Sequence, residues 1–162
     1  MEIRLKDRNI VEINDARIVF RNFSGRADKY NREGDRNFAV VFPDLEIADV
    51  LIDDTNEFGV GWNVKVKEPR EDGDSPFIYL PVKIKFNSRG PAIYLKTGDN
   101  LNRLDEESVC CLDDIDIASV DLDIRPYDDV INGKPFRAAY LQSMCVTQNI
   151  DRFAARYSRT EC

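Results

Sequence analysis

The sequence contains no histidine, and that absence excludes more chemistry than any residue present suggests. Without an imidazole there is no Ser-His or Cys-His nucleophile pair, and no side chain that ordinarily titrates near neutrality. The mixed Cys/His zinc sets are excluded with it. The four cysteines, Cys110, Cys111, Cys145 and Cys162, show no CxxC spacing, so packed, reduced thiols are expected rather than an irregular four-cysteine zinc cluster. No apolar run approaches the ~20 residues that span a bilayer, and the opening Met1 to Asp7 lacks the apolar core of a secretion signal. A cytoplasmic protein without membrane association is expected. Neither GxxxxGKS/T nor a GxGxxG after a strand occurs, so neither familiar phosphate cradle is present. Asp114 with Asp116, and Asp121 with Asp123, are spaced to share a strand face as nuclease carboxylates do, but no third ligand or base accompanies them. No catalytic residue, metal or cofactor is assigned.

What is present describes a globular chain. Its 162 residues suit one elaborated domain, with 43% hydrophobic and 33% charged residues. The net charge of −7 argues against a nucleic-acid partner until its distribution is considered. Residues 44–57 hold six acids and no base, and residues 105–123 hold eight acids and no base. Setting those 14 aside leaves 16 acids against 23 Lys and Arg, so the rest of the chain is +7. Such segregation is expected where one side meets phosphate and another faces away.

The clearest pattern runs from Phe77 to Phe86. Ile78, Leu80, Val82, Ile84 and Phe86 alternate with Phe77, Tyr79, Pro81, Lys83 and Lys85, which predicts a strand with one face in a core. The other face carries two rings and two ammonium groups, the chemistry that stacks unpaired bases and pairs with their phosphates. The competing use of that face is a subunit contact, with the lysines keeping an edge soluble. The pattern repeats. Trp62, Val64 and Val66 alternate with Asn63, Lys65 and Lys67, and Ile93 and Leu95 alternate with Tyr94 and Lys96, so three consecutive strands turn lysine outward. Trp62 is assigned to the core.

Around these lie further elements. Residues 1–15 read as an opening strand or arm. Ala16 to Phe23 reads as a strand with Ile18 and Phe20 on one face and Arg17, Val19, Arg21 and Phe23 on the other. Ser24 to Asp35 is a loop carrying Arg26, Lys29, Tyr30 and Arg32, expected to be mobile and to clamp a strand. Arg36 to Phe42 is a strand ended by Pro43, followed by a helix capped by Asp44 and running to about residue 55. Residues 97–117 read as a polar turn and an acidic segment with a short helix near 106–112. Ser119 to Tyr127 and Phe136 to Val146 are strands of a hairpin turned by Asn132-Gly133, and residues 151–162 read as a short docked helix and tail. Seven or so strands without a βαβ rhythm predict a mostly β fold, an OB-like antiparallel five-stranded barrel elaborated with extra hairpins; a β-sandwich is the alternative.

Phe20-Arg21-Asn22-Phe23-Ser24-Gly25, Tyr30-Asn31-Arg32-Glu33-Gly34 with Arg36-Asn37-Phe38, Gly61-Trp62-Asn63-Val64-Lys65, and Val130-Ile131-Asn132-Gly133-Lys134 occur in that order. Over residues 16–148 they resemble a family of tailed-bacteriophage single-stranded-DNA-binding proteins with an OB-type fold. The resemblance implies sequence-independent binding in phage DNA replication or recombination inside the bacterial host, with no catalysis. Replication or recombination proteins would be further partners. The chain departs from many such proteins in ending Ser158-Arg159-Thr160-Glu161-Cys162 rather than in an acidic tail. The expected DNA-binding set is Arg21, Arg26, Lys29, Tyr30, Arg32, Lys65, Lys67, Phe77, Tyr79, Lys83, Lys85, Tyr94 and Lys96. The reading from another class is a protein-interaction or assembly module in which Phe77, Tyr79 and Tyr94 form the contact of a homodimer.

Overall fold

The strands close on themselves, which decides between a barrel and a sandwich. A computed structural model describes residues 1–71, 73–88 and 90–150, with Arg8 described in its backbone only. The chain order of strands is β1 (Glu2–Leu5), β2 (Val11–Asn22), β3 (Arg36–Phe42), β4 (Lys65–Lys67), β5 (Phe77–Ile84), β6 (Ala92–Thr97), β7 (Asn100–Leu104), β8 (Ile117–Ile131) and β9 (Lys134–Gln148), with helix α1 (Leu45–Ile52) after β3. Hydrogen bonding runs β5-β3-β2-β8-β9 and returns from β9 to β5. That last step is parallel, Val82 beside Ala139 and Lys83 beside Tyr140, and it completes a five-stranded barrel of OB type. The remaining strands extend its rims: β1 on β2, β4 on β5, β6 on β9 in parallel, and β7 on β6.

The alternation of β5 is fulfilled on its inner face, where Ile78, Leu80, Val82 and Ile84 are buried. Phe38, Val40 and Phe42 of β3, Leu122 and Ile124 of β8, and Ala139 and Leu141 of β9 complete the core with them. Each of these side chains larger than alanine contributes about 1.5–3 kcal/mol relative to exposure. Helix α1 begins where Asp44 accepts the Ile47 amide at 2.9 Å, and it buries Ala48 and Leu51. The chain then turns back against the helix so closely that a Cβ on Gly61 would lie 2.1 Å from the Ile52 carbonyl oxygen. Glycine is therefore required there, and it seats the next residue, Trp62, in the core at 4% exposure.

The structure departs from the sequence reading in several places. Residues 2–5 form a strand on β2, whose own span starts at Val11 and so absorbs part of the expected arm. Only Lys65–Lys67 of the predicted Trp62 strand pairs, and Val66 is exposed. Asn100–Leu104, read as part of a polar turn, is a strand, and the predicted short helix is a 3-10 turn at Val109–Asp113. The hairpin turn is as expected, with Asn132 at φ 52° and Gly133 at φ 77°. Cys111 and Cys145 are free thiols, as expected of reduced cysteines, and Cys162 lies outside the described residues. The expected C-terminal helix lies outside the described residues.

Candidate nucleic-acid interface

On the outer face of the barrel, β4 and β5 set their side chains directly opposite one another. Lys65 pairs with Tyr79 and Lys67 with Phe77, and cross-strand partners on one face are in contact range. The Lys67 ammonium stands 5.9 Å from the Tyr79 ring centroid, while the Phe77 and Tyr79 rings are 5.2 Å apart. Farther along β5, Lys83 lies exposed opposite Asn37 of β3. The adjacent strands β3, β4 and β5 contain no Asp or Glu. Their own residues therefore make the outer surface aromatic and cationic.

A third ring joins the pair from β2, and the sequence pattern did not assign it. Unbroken alternation puts Phe20 on the same face as Ile18. Instead the register between β2 and β3 slips after Val19, and Phe20 takes φ 53°. The left-handed conformation is costly for a bulky residue, on the order of 1–3 kcal/mol, and here it turns the ring outward across β3. Phe20 is 60% exposed, with its centroid 5.5 Å from Tyr79 and 6.0 Å from Phe77. A bulge is visible in sequence only as broken alternation, and Val19-Phe20-Arg21-Asn22 shows none.

The same bulge starts the basic loop. Asn22, now buried, accepts the Arg26 amide at 2.9 Å and donates to the Arg26 carbonyl at 3.0 Å. Asp113 accepts the amides of Phe23 and Ser24 at 2.6 and 3.1 Å, and its carboxylate lies 3.8 Å from Arg26. Asn31 donates to the carbonyls of Arg26, Arg32 and Asp35 and accepts from Asn37 of β3. The loop expected to be mobile is thus a built structure. It holds out Tyr30, 89% exposed with the Lys29 ammonium 5.6 Å from its ring, beside exposed Arg26 and Arg32. Through Asn37 it is tied to the Lys83 end of β5.

Not all the expected residues meet here. Arg21 donates from Nη1 to the carbonyls of Leu112 and Ile115 at 2.8 and 2.7 Å, which commits its guanidinium to holding the 3-10 turn. Tyr94 and Lys96 lie on β6, which joins β9 at residues 143–147, whereas β5 joins it at 139–140. Counted along the strands, Tyr94 is nine residues from Tyr79, about 30 Å. Its neighbours are Asp121, Asp123 and Glu12, with Lys6 and Arg103. Lys85 stands between, on the rim of a recess that also exposes Arg125. Three of the four aspartates weighed as metal ligands are separately engaged, Asp116 with Asn149, Asp121 with the Asp15 amide and Asp123 with Ser143. Among the described residues no three carboxylates or thiols are grouped to hold a metal ion.

A sequence profile described as "Putative phage ssDNA-binding domain" matches residues 2–161. The chain belongs to that family. Three solved structures share the barrel of this phage ssDNA-binding domain. The single-stranded DNA-binding protein of bacteriophage Enc34 aligns with a TM-score of 0.57 at 12% identity over 98% of this chain and 91% of that one. Its C-terminally truncated form aligns at 0.56 and 14% identity, over 91% and 90%. Its complex with ssDNA aligns at 0.53 and 12%, covering 93% of each chain. At these identities the likeness is one of fold. Comparison with curated protein sequences gives no match. No helix among the described residues of this phage ssDNA-binding domain is long and apolar enough to cross a membrane.

Proposed function

We propose that this chain binds single-stranded DNA without sequence preference and without catalysis, through the outer face of β4 and β5. The carrying observation is the ring cluster of Phe20, Phe77 and Tyr79, edged by Lys65, Lys67 and Lys83 on strands free of acid. Unpaired bases present π-faces that a duplex hides, so exposed rings select single strands, and stacking is worth about 1–3 kcal/mol per base whatever the base. The lysines pair with phosphates, and Arg26, Lys29, Tyr30 and Arg32 of the loop extend the contact beside Lys83. Support for the DNA strand as ligand comes from the family and from the ssDNA complex of the Enc34 protein. The protein acts in phage DNA replication or recombination inside the infected bacterial cell.

The test is a fluorescence-anisotropy titration of a labelled poly-dT oligonucleotide over a salt series, with a duplex of equal length as competitor. Tight binding, weak competition by duplex and a log–log salt slope near −0.7 per phosphate contacted are expected. Absence of binding at low salt would overturn the reading and leave the aromatic face as a contact between copies of the chain, which light scattering would then detect.

A further inference from the structure

Three strands of the sheet bond to a neighbour on one side only: β1, β4 and β7. An unpaired edge is a template for another chain, and proteins blunt it with brevity and charge. β4 has three residues, two of them lysine, and β1 has four, with Glu2 and Arg4 among them. β7 is the longest at five residues, and its one charge, on Arg103, stands 6.0 Å from the Tyr94 ring. Leu101, beside the middle of that edge, is 60% exposed. Among the described residues the outer backbone groups of β7 have no hydrogen-bond partner.

The turn before β7 fixes which groups those are. Gly98, at φ 59°, and Asp99 form the two-residue turn between Thr97 and Asn100, which are register partners. The residues that close such a turn bond to each other, and bonded and unbonded pairs then alternate along the ladder. Asn100 and Asn102 therefore direct their backbone N–H and C=O groups at β6, whereas Leu101 and Arg103 direct theirs outward. A second β7 laid antiparallel about a two-fold axis through Asn102 brings Leu101 of each copy opposite Arg103 of the other. Each of those pairs exchanges two bonds, so every outward group of Leu101 and Arg103 is satisfied. The two Leu101 side chains become diagonal neighbours about 7–8 Å apart, and each lies along the aliphatic stem of the facing Arg103. The contact is isologous, so it closes at two copies.

We infer that β7 is the docking edge for a second copy of this chain, paired antiparallel through Leu101 and Arg103. The inference goes beyond DNA binding and does not rest on it. The two surfaces are separate, because β4 and β7 end the hydrogen-bonded strand order, and on the closing side β9 and β6 stand between β5 and β7. Phe77 and Tyr79 therefore stay uncovered. A dimer joined at β7 presents two β4–β5 faces, whereas a dimer joined through those rings would present none.

Light scattering of the full chain from about 1 to 300 µM tests this, since a contact so narrow belongs to the weak, transient class. The mass should rise from one copy toward two. Arg103→Pro removes an outward N–H without touching the bonds to β6, and Leu101→Lys keeps the backbone but sets a cation opposite the partner's Arg103. Both should hold the mass at one copy throughout, with thermal midpoints near wild type and dT4 affinity within twofold of it. Asn102→Cys puts one thiol from each copy beside the two-fold axis, in an unbonded pair whose Cα atoms lie about 4.5 Å apart, within disulfide range. Mild oxidation should link that variant into a covalent dimer beyond the level of wild type, which carries the same native cysteines, and beyond that of Asn100→Cys. A one-copy mass for wild type at every concentration, a two-copy mass that survives both edge variants, or linkage no greater than wild type would each overturn the β7 dimer. A loss of dT4 affinity in folded edge variants would instead put β7 in the DNA contact and overturn the separation of the two surfaces.

Discussion

Tyr79 on β5 and Tyr94 on β6 come from the same sequence pattern, a ring and a lysine on the outer face of a strand whose inner face is buried, yet they stand in opposite surroundings. Tyr79 has Phe20, Phe77 and Lys67 about it, and its own strand and both strands bonded to it contain no acid. Tyr94 has Asp121, Asp123 and Glu12. A phosphate approaching β5 meets Lys65, Lys67 and Lys83 on β4 and β5, and one approaching β6 meets carboxylates with Arg103, Lys6 and Lys96. Alternation determines which face a ring occupies; the field at that face is set by strands far away in sequence.

The comparison can be broken most directly by removing rings. Phe77→Ala with Tyr79→Ala should lower ssDNA affinity by about 2–6 kcal/mol if each ring stacks one base, measured by anisotropy on chains shown to be folded. Tyr94→Ala should change it less than twofold. An equal loss from Tyr94→Ala would abolish the distinction between the two sides.

The next effect falls on stability. Arg137→Ala leaves Asp128 and the Asp54 carbonyl without their buried partner and uncovers the Trp62 ring, which the guanidinium overlies at 5.5 Å. Because Asp128 reaches solvent, the expected loss is about 2–3 kcal/mol rather than the 3–5 of a fully enclosed pair. Urea unfolding reads it. Tyr79-side binding of dT4 should persist in the folded fraction.

Smaller still are single charges. Replacing Lys65, Lys67 or Lys83 by Gln should each flatten the salt slope by about 0.7, whereas Lys96→Gln should leave it unchanged. Phe20→Ala should cost about 1 kcal/mol of affinity, offset in stability by relief of its left-handed backbone only if the replacement is glycine.

The smallest expected effect is on pH. The hydrogen bonds of Arg137, helped by Asn56, hold the Asp128 carboxyl below its ordinary value against the opposing effect of burial. A carboxyl lowered in the folded state favours folding above its unfolded value near 3.9 and loses that contribution as pH falls through the depressed native one. As pH is lowered below about 4, the thermal midpoint should therefore fall by less in Arg137→Ala than in wild type.

Several elements were legible because their signals are local. The inner faces of β5 and β8, the capped helix after Pro43 and the Asn132-Gly133 turn all follow from neighbours a few residues apart. The basic loop was legible in its chemistry but not in its order, since Asn31 reveals itself as a hub only when Arg26, Arg32 and Asp35 turn their carbonyls toward it. Asn100-Leu101-Asn102-Arg103-Leu104 has too little apolar character to announce a strand, and it becomes one because β6 offers an open edge. Arg21 looked like any other exposed cation until the carbonyls of Leu112 and Ile115, some ninety residues away, were placed against it.

The sequence by itself determined which residues are buried along β5, where the cations and rings concentrate, and how acid is segregated, because period-two alternation and composition need no knowledge of distant partners. Only the tertiary structure decided that Phe20 points outward, that Tyr94 faces acid and that Lys83 stands beside Tyr140. Those outcomes depend on strand register, as in the pairing of Val19 with Ala39, and on the parallel closure of β5 against β9, where Val82 meets Ala139, and both are pairings between segments distant in sequence.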